Sequence, residues 1–307
     1  MTGEVVWQYD TRQDGGPFEF HGDPLVAGSL VVVGSDLRQP EAVAYLYAFE
    51  RETGAVRWKI ATGPGVATDL PTFGSMLYSV TLGDELLALD LETGSRIWSF
   101  ATGATNENFW LNSSPTVGGG RVFFGGLDGT LHAFDARSGN RLWKRELGAR
   151  ISTSVIAGEG GVYAGTSDGR LHRLVPETGH VSSRIETEGA PAGRLALSGE
   201  CLLALHTNAA LVCYSPTLDR VRWTRAGSKP WSSSRPYVWG GLALAGNEGG
   251  ELVAFRLSDG GIAWSQTIGG TIRGIGTSPE GLYLGTLKGE VHARPWPRET
   301  DQSTPQR

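Results

Sequence analysis

The chain has 307 residues, 45 of them Gly and 10 Trp, with 27 basic residues against 32 acidic ones for a formal charge of −5. Gly at about twice its ordinary share, with no Gly-X-Y period and no Pro/Ser tract, excludes collagen-like and disordered chains and requires a structure that turns often. The acidic balance excludes nucleic acid as a general partner, since phosphate neutralisation needs a clustered Lys/Arg surface, and no run of about 18 apolar residues is present to cross a membrane as a helix.

The first residues, Thr2-Gly3-Glu4-Val5-Val6-Trp7, have neither the basic nor the apolar region of a secretory signal. As it stands the chain reads as cytoplasmic, or as an extracytoplasmic domain excised from a longer protein. The same residues are an orphan copy of a pattern that recurs along the chain. A Gly followed four residues later by Trp appears at Gly54 and Trp58, Gly94 and Trp98, Gly139 and Trp143, and Gly260 and Trp264, with Asp219 and Trp223 as a variant lacking the Gly. Gly179 and Ser183 form a degenerate copy in which Ser stands for Trp. The spacing of about 40 to 45 residues, with four short strand signals per unit, predicts β-propeller blades rather than helical repeats.

The cleanest unit runs from Ser114 to Trp143, with strands predicted at Pro115–Val117, Arg121–Gly125, Leu131–Asp135 and Arg141–Trp143. Asp128-Gly129 between the second and third strands predicts a two-residue type I′ hairpin with positive φ at both positions. Asp168-Gly169 and Lys288-Gly289 repeat it, as does Asn208-Ala209 with the Gly lost. Inner strands are expected from Pro24, Pro71, Pro115, Ser154, Leu195, Pro236 and Gly276, giving blades that start near 23, 69, 113, 152, 193, 234 and 275. The fold expected is all-β: a seven-bladed propeller of four-stranded antiparallel blades forming one monomeric domain over 1–296, with residues 2–9 completing blade seven and closing the ring. The tail 297–307 is polar and expected to be disordered.

The two cysteines, Cys201 and Cys213, fall on neighbouring strands of one hairpin turning near Asn208. Placing Cys213 opposite Ala204 leaves Cys201 out of register, which predicts two buried thiols rather than a disulfide. His132, His172 and His292 occupy one repeat position in three different blades, so they diverge instead of converging on an ion, and no metal site is predicted. No GxSxG motif is present, and no helix follows the Gly-rich turns to hold a phosphate.

The Gly-x-x-x-Trp endings, together with the strands Leu46–Glu50, Leu86–Asp90 and Leu131–Asp135, resemble the PQQ-like repeat propellers over nearly the whole chain. That family includes quinoprotein dehydrogenases that bind pyrroloquinoline quinone and calcium, a bacterial outer-membrane assembly lipoprotein that is a binding scaffold, and sensor propellers attached to bacterial kinases. The resemblance therefore implies the fold and leaves several functions open. The adjacent Cys pair of the dehydrogenases is missing, so no cofactor is predicted.

Loops joining each outer strand to the next inner strand lie at the channel mouth of a propeller, where binding is expected. They carry Trp110 and Trp231, at equivalent positions three blades apart, with His21, Asp69, Asn106, Asn108, Asn112, Arg150, Arg235 and Arg273 among them. Aromatic walls with amides, an acid and several Arg suit a protein, a saccharide or another small ligand. The expectation is a non-catalytic sensor or scaffold module binding through this face; the alternative is an enzyme with its site there, either a quinoprotein or a carbohydrate-active propeller.

Overall fold

The computed structural model describes residues 4–16, 18–37, 43–104, 113–158, 160–231 and 235–296. Seven antiparallel sheets follow one another along the chain, six of four strands and a last one of three among the described residues. This is the blade succession of a seven-bladed β-propeller. Blade one, for example, consists of Leu25–Ala27, Leu30–Gly34, Tyr45–Glu50 and Val56–Ala61, each strand paired to the next. Inner strands begin at Leu25, Thr72, Thr116, Ile156, Pro191, Tyr237 and Ile272, within about four residues of the expected starts.

The chain divides into two compact units, Met1–Ala157 with Pro176–His180, and Gly158–Val175 with Val181–Arg307. Within the first, the core lies between successive blades, and the pleat dictates it. Alternate residues of a strand face opposite sides. Leu77, Leu87 and Leu89 of blade two accordingly join Leu30, Val32, Leu46 and Ala48 of blade one. Met76, Tyr78, Val80, Leu86 and Ala88 face the other way, onto Val122, Phe124 and Phe134 of blade three. The second unit repeats the plan, with Leu203, Leu211 and Trp223 packed with Ala243, Val253 and Phe255.

The recurrent Trp is a joint between blades. Trp58 of blade one donates its Nε1 hydrogen to Leu91 O of blade two at 3.0 Å, and its ring covers Gly94, where a Cβ would come within 2.6 Å of the indole. Trp98 meets Ala136 O and Gly139, Trp143 meets Pro176 O and Gly179, and Trp223 meets Leu257 O and Gly260 in the same way. The Gly therefore receives the Trp of the preceding blade, and its φ of +69 at Gly94 is a second reason for Gly there. Opposite Trp58, Trp98, Trp143 and Trp264 stand Ala48, Ala88, Ala133 and Ala254, small enough to seat an indole. A register shift recurs beside this pair in four blades and at the equivalent pairs Arg173–Ser183 and Cys213–Trp223 in two more, and such a bulge increases the local twist of the outer strand.

Three expectations are revised. Only the second residue of each Asp-Gly hairpin turns positive: Gly129 at φ +80 and Gly169 at +82, bonded back to Gly126 O and Thr166 O. These are turns ending in one left-handed residue, a position that Asp84 and Ala209 fill without Gly at φ +60 and +62. Residues 4–10 carry no strand assignment, and the tail beyond 296 lies outside the described residues. Trp7 nevertheless occupies a joint: its Nε1 donates to Arg51 O at 2.8 Å and its ring covers Gly54.

The third revision concerns the cysteines, which form a disulfide with Cα atoms 5.3 Å apart. Cys213 pairs with Leu203, not Ala204. One residue of register decides the face, so Cys201 and Cys213 share a side of the sheet as diagonal neighbours. The bridge spans 12 residues and both cysteines are fully buried. Reducing it is expected to cost roughly 3 kcal/mol by releasing loop entropy in the unfolded chain. Urea unfolding with and without a phosphine reductant measures this; an unchanged midpoint, with reduction verified by alkylation, contradicts it.

Candidate functional site

In the first unit the loop between Trp7 and the first inner strand is pinned from both ends. Asp14 closes a short 3₁₀ turn, Thr11–Asp14, and its nearly buried carboxylate accepts hydrogen bonds from Tyr9 at 2.7 Å, Tyr47 at 3.1 Å and Lys59. Burial alone would push this carboxyl up, but the three donors outweigh it and hold its pKa below the usual range. Farther along, Glu19 and Asp36 exchange backbone hydrogen bonds, both at 2.9 Å, and Asp36 forms a second bridge with Gly65. This brings the expected site residue His21 against a partner 15 residues away: Nδ1 lies 2.9 and 3.1 Å from the two carboxylate oxygens of Asp36. Its Nε2 faces Glu19 Oε2 at 3.6 Å. Glu19, His21 and Asp36 are the group of potential metal ligands found among the described residues.

Asp69, also expected at the site, is half-buried, and its backbone N–H donates to Ser114 Oγ at 3.0 Å. Arg150 is half-buried as well. Trp110, Asn106, Asn108 and Asn112 lie outside the described residues, as do 38–42 of the long blade-one hairpin.

The second unit holds Trp231, Arg235 and Arg273. Trp231 bridges to Asn247 and meets Phe255 edge-on, with centroids 5.9 Å apart, at the margin of the disulfide-containing core. Its Nε1 is buried with no hydrogen-bond partner among the described residues. This ring is partly a core residue, and only a local pairing that sequence does not reveal distinguishes it from a free aromatic wall. Arg235 stacks its guanidinium 4.7 Å over Tyr237, and Arg273 is exposed.

His132 and His172 are buried strand residues of separate blades, pushed down by burial to about 4. His132 sits among Phe100, Phe124 and Phe134. The residues do not fit pyrroloquinoline quinone with calcium. The cysteines are 12 apart and lie within a hydrophobic cluster, and among the described residues the group of ligating side chains combines a histidine with two acids.

A family model described as outer membrane protein assembly factor BamB matches residues 42–266. The chain is similar to proteins of that name from Moranella endobia (26% identical over 185 residues, 53% of this chain and 46% of the relative) and Yersinia pestis (24% over 176 residues, 52% and 45%). It is also similar to the one from Bordetella pertussis, 26% identical over 199 residues, 58% of this chain and 50% of the relative. The chain spans about half the length of these relatives. In fold it is similar to the crystal structure of BamB from Moraxella catarrhalis, with a TM-score of 0.76 at 20% identity over 95% of this chain and 86% of that one. The computationally designed Ika8 protein has a TM-score of 0.58 at 11% identity, covering 90% of this chain and 96% of that one. The cytoplasmic reading is overturned: relatives named for assembling outer membrane proteins point to an extracytoplasmic place, and a disulfide suits an oxidising compartment. By its matched repeats and its seven blades, the chain belongs to the PQQ-like repeat family described as outer membrane protein assembly factor BamB.

Proposed function

We propose that this chain is a non-catalytic scaffold that binds proteins during outer membrane protein assembly, using interblade loops as its binding surface. The family match over 42–266 carries the reading. Its support in the structure is the kind of residue those loops present, His21 and Arg150 in the first unit and Arg235 in the second, on loops held by paired strands, with exposed Arg273 one residue into the inner strand Ile272–Ser278. A saccharide ligand has no support in the relatives, which are named for a protein-assembly task. The quinoprotein alternative has no fitting donor set among the described residues.

Deleting the gene in its own bacterium is expected to lower the amount of folded outer-membrane β-barrel proteins, read by quantitative mass spectrometry and by heat-modifiability on gels. The wild-type gene should restore them. Loop variants tested in each unit separately, His21→Ala with Arg150→Ala and Arg235→Ala with Arg273→Ala, should restore less in at least one unit while keeping the wild-type melting temperature. Unchanged barrel protein levels on deletion overturn the assembly role, and full restoration by both double variants overturns the loop surface.

A further inference from the structure

We propose that His21 and Glu19 form a binding site for a divalent transition-metal ion of the zinc class, with Asp36 orienting the imidazole. The argument starts from the buried carboxylate. The Asp36 side chain has 0% exposure and places both oxygens within 3.1 Å of His21 Nδ1. With Nδ1 turned to the Asp36 carboxylate, Nε2 is the ring nitrogen left to meet an ion. Nε2 faces a carboxylate oxygen, Glu19 Oε2, across 3.6 Å. The separation fits the edge of a tetrahedron around an ion with Zn–N and Zn–O bonds of about 2.0 to 2.2 Å, which places ligand atoms about 3.4 Å apart.

The framework is fixed before any ion arrives. Glu19 and Asp36 are locked by their paired backbone hydrogen bonds, and Asp36 is held a second time by the bridge to Gly65, where a Cβ would come within 2.4 Å of the Asp36 backbone. A buried carboxylate donating orientation to a ligating histidine is the common outer-shell arrangement at protein zinc sites. A mixed imidazole and carboxylate set favours zinc and its neighbours over calcium or magnesium. Glu19 is exposed and the His21 side chain about one-third so, which leaves the remaining coordination positions open to water or to a side chain of a bound protein.

Calorimetric titration of the untagged chain with zinc chloride tests this, with cobalt(II) absorption as the geometric readout. The expected result is one saturable ion per chain, with tetrahedral cobalt bands, lost in His21→Ala and in Glu19→Gln. Asp36→Asn should weaken binding by about 10- to 100-fold. Because Asp36 is buried, the exposed Glu19→Gln variant decides the matter should Asp36→Asn fail to fold. No saturable binding overturns the site, as does binding that survives His21→Ala.

Discussion

Acidification from pH 7 to pH 4 is expected to cost the fold roughly 3 kcal/mol for each of His132 and His172. Burial pushes both imidazoles from the ordinary 6.5 down to about 4. Between those values the unfolded chain binds protons that the native chain refuses, so stability rises with pH across the window. It is fully present above the unfolded value and is lost as pH falls from 6.5 toward 4. His132 gives the sharper test. Both its ring nitrogens are buried without a hydrogen-bond partner among the described residues, and Phe100, Phe124 and Phe134 surround it. His132→Leu leaves no polar group unpaired and should flatten the acid limb of a urea-stability profile while keeping or raising stability at pH 7. An acid limb as steep as that of the wild type would sink the assignment. His172 keeps a contact with Thr166 Oγ1 at 3.3 Å, so its replacement should gain less at neutral pH.

The second large effect belongs to the blade joints. Trp58→Ala is expected to destabilise by about 3 to 5 kcal/mol, the range for removing a buried aromatic ring. Only 8% of Trp58 is exposed, and the substitution also leaves Leu91 O without its indole donor. Gly94→Ala should be costly as well, since the new methyl meets the indole at a positive φ. The two costs should not add: with the ring gone, the methyl has room and only the backbone strain remains. Chemical denaturation of both single variants and the double variant measures the coupling, and strict additivity would contradict the joint.

Much of the architecture was legible because the Gly-x-x-x-Trp period marks most of the outer strands. What the period does not disclose is which copy a Trp touches. The motif suggests that Trp58 and Gly54 form a unit, whereas the ring of Trp58 rests on Gly94 of the next blade. The disulfide was missed for a related reason. Turn geometry around Ala209 sets the hairpin register, and one residue of slip moves Cys201 from the wrong face to the right one. At the candidate site, His21 was legible from its loop, but its partner Asp36 arrives through a long-range bridge between Glu19 and Asp36 that no local pattern announces. Trp231 was legible as a loop aromatic and not as a neighbour of Phe255.

The joint has a consequence for how such a chain can grow. Where a blade donates a Trp forward and offers a Gly backward, as blades one, two, three and six offer Gly54, Gly94, Gly139 and Gly260, a whole repeat carries two complementary half-joints, and inserting or removing one leaves the remaining couplings matched. Blade number is then free to drift by duplication without redesign of any interface. The boundary between blades four and five is exempt. There Ser183 replaces the Trp and bonds Thr217 O at 2.6 Å, and the receiving turn has Leu218, buried and at φ +55, as its left-handed residue. A standard repeat spliced in at that point would present an indole to a turn with no glycine to receive it, so this boundary has become private to the two blades that share it.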